Sequence, residues 1–414
     1  MHLLEHCIVI TKRVLKESRR MGIRRINVKP LIFSSKNIQE TKSHHTAAVN
    51  SKCMKVTVLG AAGPTGTALS LLLKQSSLID ELAVYDRSSM AGLVLELSHI
   101  DTRCKVNSCT GAAGIVSEAN LKEALQDAKI VMITSEDEAF KKITKNQEEL
   151  LKRNANVISE LVPSLMRYCP RAMIALVSRP MNSLIPLISE MYKKGGFDED
   201  TVQTHLFGVT SLDCVRANKF AAEILGIGPE CVLVPVIGGS CPKTCIPLFS
   251  QMKPSSELTN EEIGKLTYSV KMAEEEVAKE YGRKGSSSLA MAFAAARFCI
   301  SLCKALRDQR GVVECAYVRS CVIPEVTYFA APLELGPNGV QKHLGIPALS
   351  DYECKMLTAT IPVLKVAIRM GQTLALGPKG ISTETCPVPE DPCVNRKVSS
   401  STSDRISRGP ISTA

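Results

Sequence analysis

The sequence predicts an α/β fold in which a doubly wound parallel sheet is followed by a second half of α+β type. Short apolar runs, rich in β-branched residues, alternate with helical stretches in the first half; they lie at 55–59, 81–86, 129–134 and 172–178. Continuous apolar strands that alternate with helices are typical of a parallel sheet covered by helices on both faces. This alternation is the main reason for the predicted fold class.

From about residue 200 the pattern changes to long helical segments and antiparallel strands. Helices are expected at 212–226, 260–281, 287–308 and 350–374. Apolar runs at 311–318 and 327–336 are interpreted as antiparallel strands, with a turn at 337–339. The end of the chain is rich in Ser, Thr and Pro and has no periodicity, which predicts disorder. The predicted division is a basic leader at 1–52, a first domain at 53–199, a second domain at 200–374 and a disordered tail at 375–414.

Positive charge is concentrated at the start of the chain. Residues 1–52 carry 11 of the 51 Lys and Arg residues but only 3 of the 41 Asp and Glu residues. The remaining chain is nearly neutral, so it lacks the basic face that a nucleic-acid partner requires. An Arg- and Ser-rich leader without acidic residues between 21 and 39 favours a mitochondrial presequence, and hence the mitochondrial matrix, over a merely disordered basic arm.

Neither a membrane span nor a metal site is expected. The best apolar stretch, at 288–302, is broken by Arg297 and is too short to cross a bilayer. The sixteen cysteines are scattered singly, without the CxxC spacing of a zinc ribbon. We therefore expect reduced thiols in a reducing compartment.

A glycine-rich turn, GAAGPTG, directly follows the first predicted strand and opens a helix. Gly60, Gly63 and Gly66 let the backbone turn sharply and approach a pyrophosphate at the helix N-terminus. Asp86 ends the next strand, where its carboxylate can accept hydrogen bonds from ribose hydroxyls and would repel a 2′-phosphate. The pattern favours NAD over NADP, and a dinucleotide site over a plain glycine turn with a surface aspartate.

The chain resembles the NAD-dependent malate dehydrogenases of the mitochondrial type. The resemblance runs from about 55 to 374 and is carried by VTVLGAAGPTGTALSLLLKQSSLIDELAVYD, LSHI, FGVTSLDCVRANKF, VPVIGG and GVVECAYV. It implies a Rossmann domain that binds NAD, a C-terminal catalytic domain, a dicarboxylate substrate and a homodimer. It places cofactor contacts at Gly60, Ala61, Ala62, Gly63, Pro64, Thr65, Gly66, Asp86, Asn154, Val177, Ser178, Arg179 and Met291.

The resemblance also implies hydride transfer between the nicotinamide and the carbinol carbon of malate. In the family a histidine takes the hydroxyl proton, an aspartate orients the histidine, and three arginines hold the substrate carboxylates. Asp213 matches the orienting aspartate and Arg216 matches one of the arginines. On spacing alone, these two residues are better explained as a structural aspartate at a helix start and a surface arginine, whereas the resemblance favours their role in the site.

Other parts of the family site are changed. The family turn Gly-Gly-His-x-Gly-Lys-Thr is GGSCPKT here, so Ser240 stands at the position of the histidine and Pro242 at that of a glycine. A serine hydroxyl is no base near neutral pH without a base beside it. Arg179 stands at the position of an asparagine that touches both nicotinamide and substrate. The GGSCPKT turn therefore holds no group that moves the proton.

The loop at 135–150 is also changed, because it contains no arginine. Depending on where a two-residue insertion is placed, the arginine positions become Ala139 or Lys141, and Lys145 or Gln147. Lysines attract a carboxylate but lack the planar fork of arginine. The acidic residues at 136–138 bring negative charge toward the expected position of a dicarboxylate.

Two residues are candidates for a replacement base. His205, expected at a strand start, is more simply an ordinary half-exposed residue, and Cys241 beside Lys243 is an activated thiol only if a base is near. The sequence favours an NAD-binding homologue with weak or absent catalysis. The alternatives are a non-enzymatic NAD-binding or structural subunit paired with an intact homologue, and a dehydrogenase of another 2-hydroxy acid. The last is disfavoured because related lactate enzymes also need the histidine.

Overall fold

The computed structural model describes residues 53–108, 118–136, 147–282 and 287–376. The predicted leader lies outside these residues, as do Lys141, Lys145 and all but the first two residues of the predicted tail. Those two residues, 375 and 376, are the end of the last helix rather than part of a tail.

Six strands of the first half form a parallel sheet. They are β1 Lys55–Leu59, β2 Glu81–Tyr85, β3 Lys105–Ser108, β4 Ile130–Ile133, β5 Met173–Leu176 and β6 Leu206–Gly208. Their order is β3-β2-β1-β4-β5-β6, and each neighbouring pair runs parallel. Every residue of β1, β4 and β5 is buried, as their continuous apolar sequences require. The four predicted strands are confirmed within two residues at each end, whereas the short strands β3 and β6 were not predicted.

The helices of the first half are α1 Pro64–Lys74, α2 Ala91–Ser98, α3 Glu118–Leu125, α4 Gln147–Tyr168, α5 Met181–Lys194 and α6 Glu199–His205. Helix α1 begins with Pro64, where a missing N–H costs nothing because the first helical amides have no partner within the helix. The glycine turn therefore delivers the chain directly into a helix whose N-terminus points to the strand ends.

The second half adds helices and antiparallel strands. Its helices are α7 Ser211–Leu225, α8 Asn260–Glu280, α9 Ser288–Leu306 and α10 Asp351–Leu376. Its strands are β7 Val236–Gly238, β8 Cys245–Pro247, β9 Val312–Arg319, β10 Tyr328–Gly336 and β11 Gly339–His343. Strands β9 and β10 pair antiparallel and a tight turn joins β10 to β11, so both expectations are confirmed.

The two halves share one sheet. The parallel part continues from β6 through β9, β10 and β7 to β8, and β6 pairs antiparallel with β9. One cluster of buried side chains extends from β1 to α10. Because the sheet and the core are continuous, the carboxyl ends of β1, β4 and β5 are held in fixed positions relative to α7 and α8. This arrangement positions the site.

Helix α9 is the described helix that is long and apolar enough to cross a membrane by length and composition, with a mean hydropathy of 1.7. Half of the apolar window in this helix is buried, and the helix packs against α1. Of the described cysteines, eleven are free thiols and Cys321 is disulfide-bonded. The expectation of reduced thiols is therefore wrong for Cys321.

Candidate active site

The glycine turn between β1 and α1 is held by its own backbone. Gly60 has a φ of 86°, in the left-handed region that favours glycine, and a Cβ there would lie 2.5 Å from the amide nitrogen of Ser135. Gly63 adopts the extended conformation before helix α1, which begins at Pro64. A Cβ on Gly66 would lie 2.2 Å from the carbonyl oxygen of Gly60. The turn therefore tolerates no side chain at its first and third glycines.

The carboxylate of Asp86 fixes this turn from the end of β2. One oxygen accepts the N–H of Ala62 at 3.0 Å, and the other accepts the N–H of Ser88 at 3.0 Å. Asp86 is half-buried and lines the cleft beside the turn. The predicted pair of glycine turn and strand-end acid is thus brought together in the structure.

A cleft of about 2440 Å³ runs from the glycine turn to the start of helix α7. The predicted site residues that line it are Gly60, Ala62, Gly63, Pro64, Thr65, Asp86, Arg179, Asp213, Arg216, Ser240 and Met291. Cofactor and substrate positions, which come from two predicted domains, therefore share one cavity.

The remaining predicted cofactor residues support the cleft wall. Val177 and Ser178 are buried, and they line a small adjoining pocket together with Met291. Ser178 donates its hydroxyl to the carbonyl of Ser135 at 2.7 Å, which ties the ends of β4 and β5 together. Asn154 is fully buried and donates its amide to the carbonyl of Arg179 at 2.6 Å. Ala61 and Gly66 pack inside the turn.

The turn that carries Ser240 follows β7 and is anchored by an amide from helix α5. Asn182 accepts the N–H of Ser240 at 2.9 Å and donates to the hydroxyl of Thr244 at 3.1 Å. The thiol of Cys241 lies 3.0 Å from the same hydroxyl. Among the described residues that line the cleft there is no histidine. The turn is therefore well positioned but lacks the expected base.

His205 is the last residue of helix α6 rather than the start of a strand, and strand β6 begins one residue later. Its Nδ1 lies 2.8 Å from the hydroxyl of Thr204, and burial lowers the pKa of its imidazole. His205 is not among the described residues that line the cleft. It therefore does not supply a base where Ser240 stands.

Asp213 lies in the first turn of helix α7 and faces the cleft. Burial raises the pKa of its carboxyl to about 6, against the opposing effects of the Arg216 charge and of a hydrogen bond to Cys245. Glu274 raises the pKa further. The histidine that the resemblance implies beside this aspartate is absent from the described residues that line the cleft, whereas the buried thiol of Cys245 acts on its carboxyl.

Arg216, one helical turn after Asp213, is paired inside the protein. Its Nη2 donates to Oε2 of Glu274 at 3.0 Å and to the hydroxyl of Ser287 at 2.8 Å. Arg179 donates from Nη1 to Oε1 of the same carboxylate at 3.3 Å, and its backbone N–H donates to Glu136 at 3.3 Å. Both arginines assigned to substrate binding therefore meet at Glu274.

Burial alone would raise the pKa of Glu274, but Arg179, Arg216 and Ser287 outweigh it and hold the pKa below its ordinary value. Glu274 is therefore ionised at neutral pH. Glu274 and Asn182 are not among the site residues that the sequence predicts. Glu274 lies in the acidic run 274–276 of helix α8, which looks like a solvated helix face. The sequence contains no signal that separates it from its neighbours.

The sheet order β3-β2-β1-β4-β5-β6, with a glycine turn after β1 and an acid after β2, defines a dinucleotide-binding α/β protein. Residues 54–204 match the model of the lactate/malate dehydrogenase NAD binding domain, and residues 210–375 match that of the alpha/beta C-terminal domain of the same family. The chain belongs to the lactate/malate dehydrogenase family and carries its NAD-binding domain.

Similar proteins include malate dehydrogenases described as mitochondrial. The rat protein is 40% identical over 331 residues, which cover 80% of this chain and 94% of the relative, and the human protein gives the same values. A crystal structure of malate dehydrogenase from Cryptosporidium parvum has a TM-score of 0.65 at 21% identity and covers 78% of this chain and 99% of its own. A lactate dehydrogenase from the same organism, solved with lactic acid and nicotinamide adenine dinucleotide, has a TM-score of 0.64 at 21% identity and covers 79% of this chain and 99% of its own.

Proposed function

We propose that this protein is an NAD-binding homologue of malate dehydrogenase whose dehydrogenase turnover is weak or absent. The observation that carries the proposal is Ser240, which stands where the resemblance places the proton-accepting histidine. The described cleft lining offers no histidine in its place. Loss of a general base commonly lowers the rate by about 100-fold to 10,000-fold.

The chain's own groups fit NAD at one end of the cleft. The turn at Gly60 and Gly63 leaves room for a pyrophosphate at the N-terminus of α1, and Asp86 lies where it can accept from the adenosine ribose. When bound, NAD supplies the acceptor for a hydride. Asn154 and Ser178 orient the strand ends beside Met291, where the nicotinamide half is expected.

At the other end of the cleft the chain's groups fit a dicarboxylate poorly. Asp213 has no histidine beside it among the described residues that line the cleft and therefore orients no imidazole there. Arg216 and Arg179 are the proposed carboxylate contacts, and both already hold a carboxylate of the protein. Lys141 and Lys145 remain proposed contacts from the loop. These features support slow turnover of malate or oxaloacetate rather than a fast enzyme.

The test is NADH oxidation by oxaloacetate, measured with the full chain at saturating NADH. We expect activity near the detection limit, and little more in Ser240→His. That variant still has Pro242 in the turn, and the loop still lacks arginine. Adding Pro242→Gly and Arg179→Asn to Ser240→His should raise activity by more than the product of the separate effects, because groups that act as one unit are not additive. Fast turnover by the unmodified protein contradicts the proposal.

We also propose a mitochondrial matrix location, which the basic leader and the mitochondrial relatives support. Residues 1–52 fused to a fluorescent protein should direct it to mitochondria, and a diffuse cytosolic signal would exclude a presequence.

The proposed assembly is a homodimer, or a heterodimer with an intact homologue. Leu71 on α1 and Val366 on α10 line the cleft with 42% and 61% of their surface exposed, which favours burial by another chain. Light scattering of the purified protein distinguishes a dimer from a monomer.

A further inference from the structure

Four charged side chains of alternating sign form a chain inside the cleft, which we call the clamp chain: Glu136, Arg179, Glu274 and Arg216. The contacts run from Glu136 to Arg179 at 3.9 Å, from Arg179 to Glu274 at 3.3 Å and from Glu274 to Arg216 at 3.0 Å. The residues come from the ends of β4 and β5 and from helices α8 and α7. The clamp chain therefore connects the NAD-binding half of the cleft with the half that carries Asp213.

Both oxygens of the Glu274 carboxylate are used. Oε1 accepts from Arg179 at 3.3 Å and from the backbone N–H of Ser287 at 3.3 Å, and Oε2 accepts from Arg216 at 3.0 Å. Nη2 of Arg216 donates to Glu274 and to Ser287, and only 12% of the Arg216 side chain is exposed, so little of the guanidinium is open to another anion. Glu274 thus makes the contacts that a bound carboxylate ligand would make with these donors.

We propose that Glu274 is a built-in carboxylate that occupies the arginine clamp and is the residue that determines specificity against dicarboxylate and 2-hydroxy-acid ligands. The inference deepens the proposed function and rests on it, since it assumes that the cleft holds NAD beside Arg216. A substrate carboxylate reaches Arg216 only after Glu274 has left it.

Glu274 competes for Arg216 more effectively than a free ligand does. It is attached to helix α8, whose N-terminus is fixed by a capping box between Thr259 and Glu262. A tethered group pays no translational or rotational entropy to reach its partner, whereas a free dicarboxylate pays this cost in full. A free carboxylate that displaced Glu274 would share the site with two acidic side chains, the displaced Glu274 and Asp213, because Asp213 lies one turn from Arg216. The competition therefore favours the internal carboxylate.

The experiment titrates L-malate into the full-length protein saturated with NADH and measures binding by calorimetry. Both ligands are reduced, so no turnover occurs and the result is independent of catalysis. We expect weak or undetectable binding to the unmodified protein. In Glu274→Gln we expect affinity to rise roughly tenfold or more, since a competing charge in direct contact with the arginine is removed. Glu274→Ala should show the same direction of change.

The matched control is Glu276→Gln, which removes the same charge from the exposed face of the same helix, outside the cleft lining. It should leave malate affinity unchanged, and an equal gain in this variant would attribute the effect to net charge and overturn the proposal. NADH titration of each variant shows that it is folded. Unchanged malate affinity in Glu274→Gln and Glu274→Ala with normal NADH binding also overturns it, as does micromolar binding of malate by the unmodified protein. Failure of the unmodified protein to bind NADH would instead contradict the proposed function.

Discussion

Replacing Gly66 by alanine is expected to open the glycine turn and to weaken NADH binding. A Cβ on Gly66 would lie 2.2 Å from the carbonyl oxygen of Gly60 and 2.6 Å from the Cα of Ala61. Both are backbone atoms of the turn, and Cβ atoms do not approach such atoms within 3.0 Å. The turn and helix α1 must therefore separate by roughly 1 Å in a region that is otherwise closely packed.

Two effects of opposite sign set the change in stability. Alanine in a helix gains about 0.5–1 kcal/mol over glycine, whereas overpacking of this kind costs about 1–3 kcal/mol. The net loss is then between about 0 and about 2.5 kcal/mol, or a fall of at most several degrees in the melting temperature. A displaced backbone N–H that no longer meets a phosphate oxygen costs about 1.5–3 kcal/mol, which corresponds to roughly tenfold to 150-fold weaker NADH binding.

Gly92→Ala is the matched control, because Gly92 also lies in a helix and a Cβ there has nothing within 4 Å. It should keep the NADH affinity and melt at the same or a slightly higher temperature. Fluorescence titration with NADH and thermal melts of both variants make the comparison. If Gly66→Ala binds NADH and melts as the unmodified protein does, the steric argument for this turn is wrong.

Two further changes test the same cleft. Asp86→Arg should abolish saturable NADH binding, whereas Asp86→Asn should weaken it less, because an amide oxygen still accepts one N–H of the turn. Equal losses in a fluorescence titration with NADH would contradict the role of this hydrogen bond and assign the effect of Asp86 to its charge. The pKa of Asp213 is raised from 3.8 to about 6 in the folded protein, so the folded state binds this proton more tightly than the unfolded state and stability falls as the pH rises from about 4 to about 6. Thermal melts of Asp213→Asn across this range should lack that fall, and an unchanged profile would assign it to other groups.

The sequence by itself determined strands β1, β2, β4 and β5 and the cofactor end of the site. Strand β1 is a continuous apolar run, and each of its residues is buried, so local composition alone specified it. The glycine turn and Asp86 could be recognised from the sequence, because the strand, the turn, the helix and the strand-end acid follow one another within a short stretch of chain. The family site positions Asp213, Arg216 and Ser240 also lie in short motifs, and the structure brings them to one cleft.

Only the tertiary structure decided what these charges touch. Arg216 and Glu274 are 58 residues apart, and Arg179 and Glu274 are 95 residues apart. Neither pairing leaves a periodicity or a motif, because an acidic run on a helix has the same sequence whether it faces water or an arginine. The position of His205, outside the described cleft lining, depends in the same way on how α6 meets the sheet. Local patterns specify which elements form, whereas the partners of a charged side chain are set by the packing of distant elements against each other.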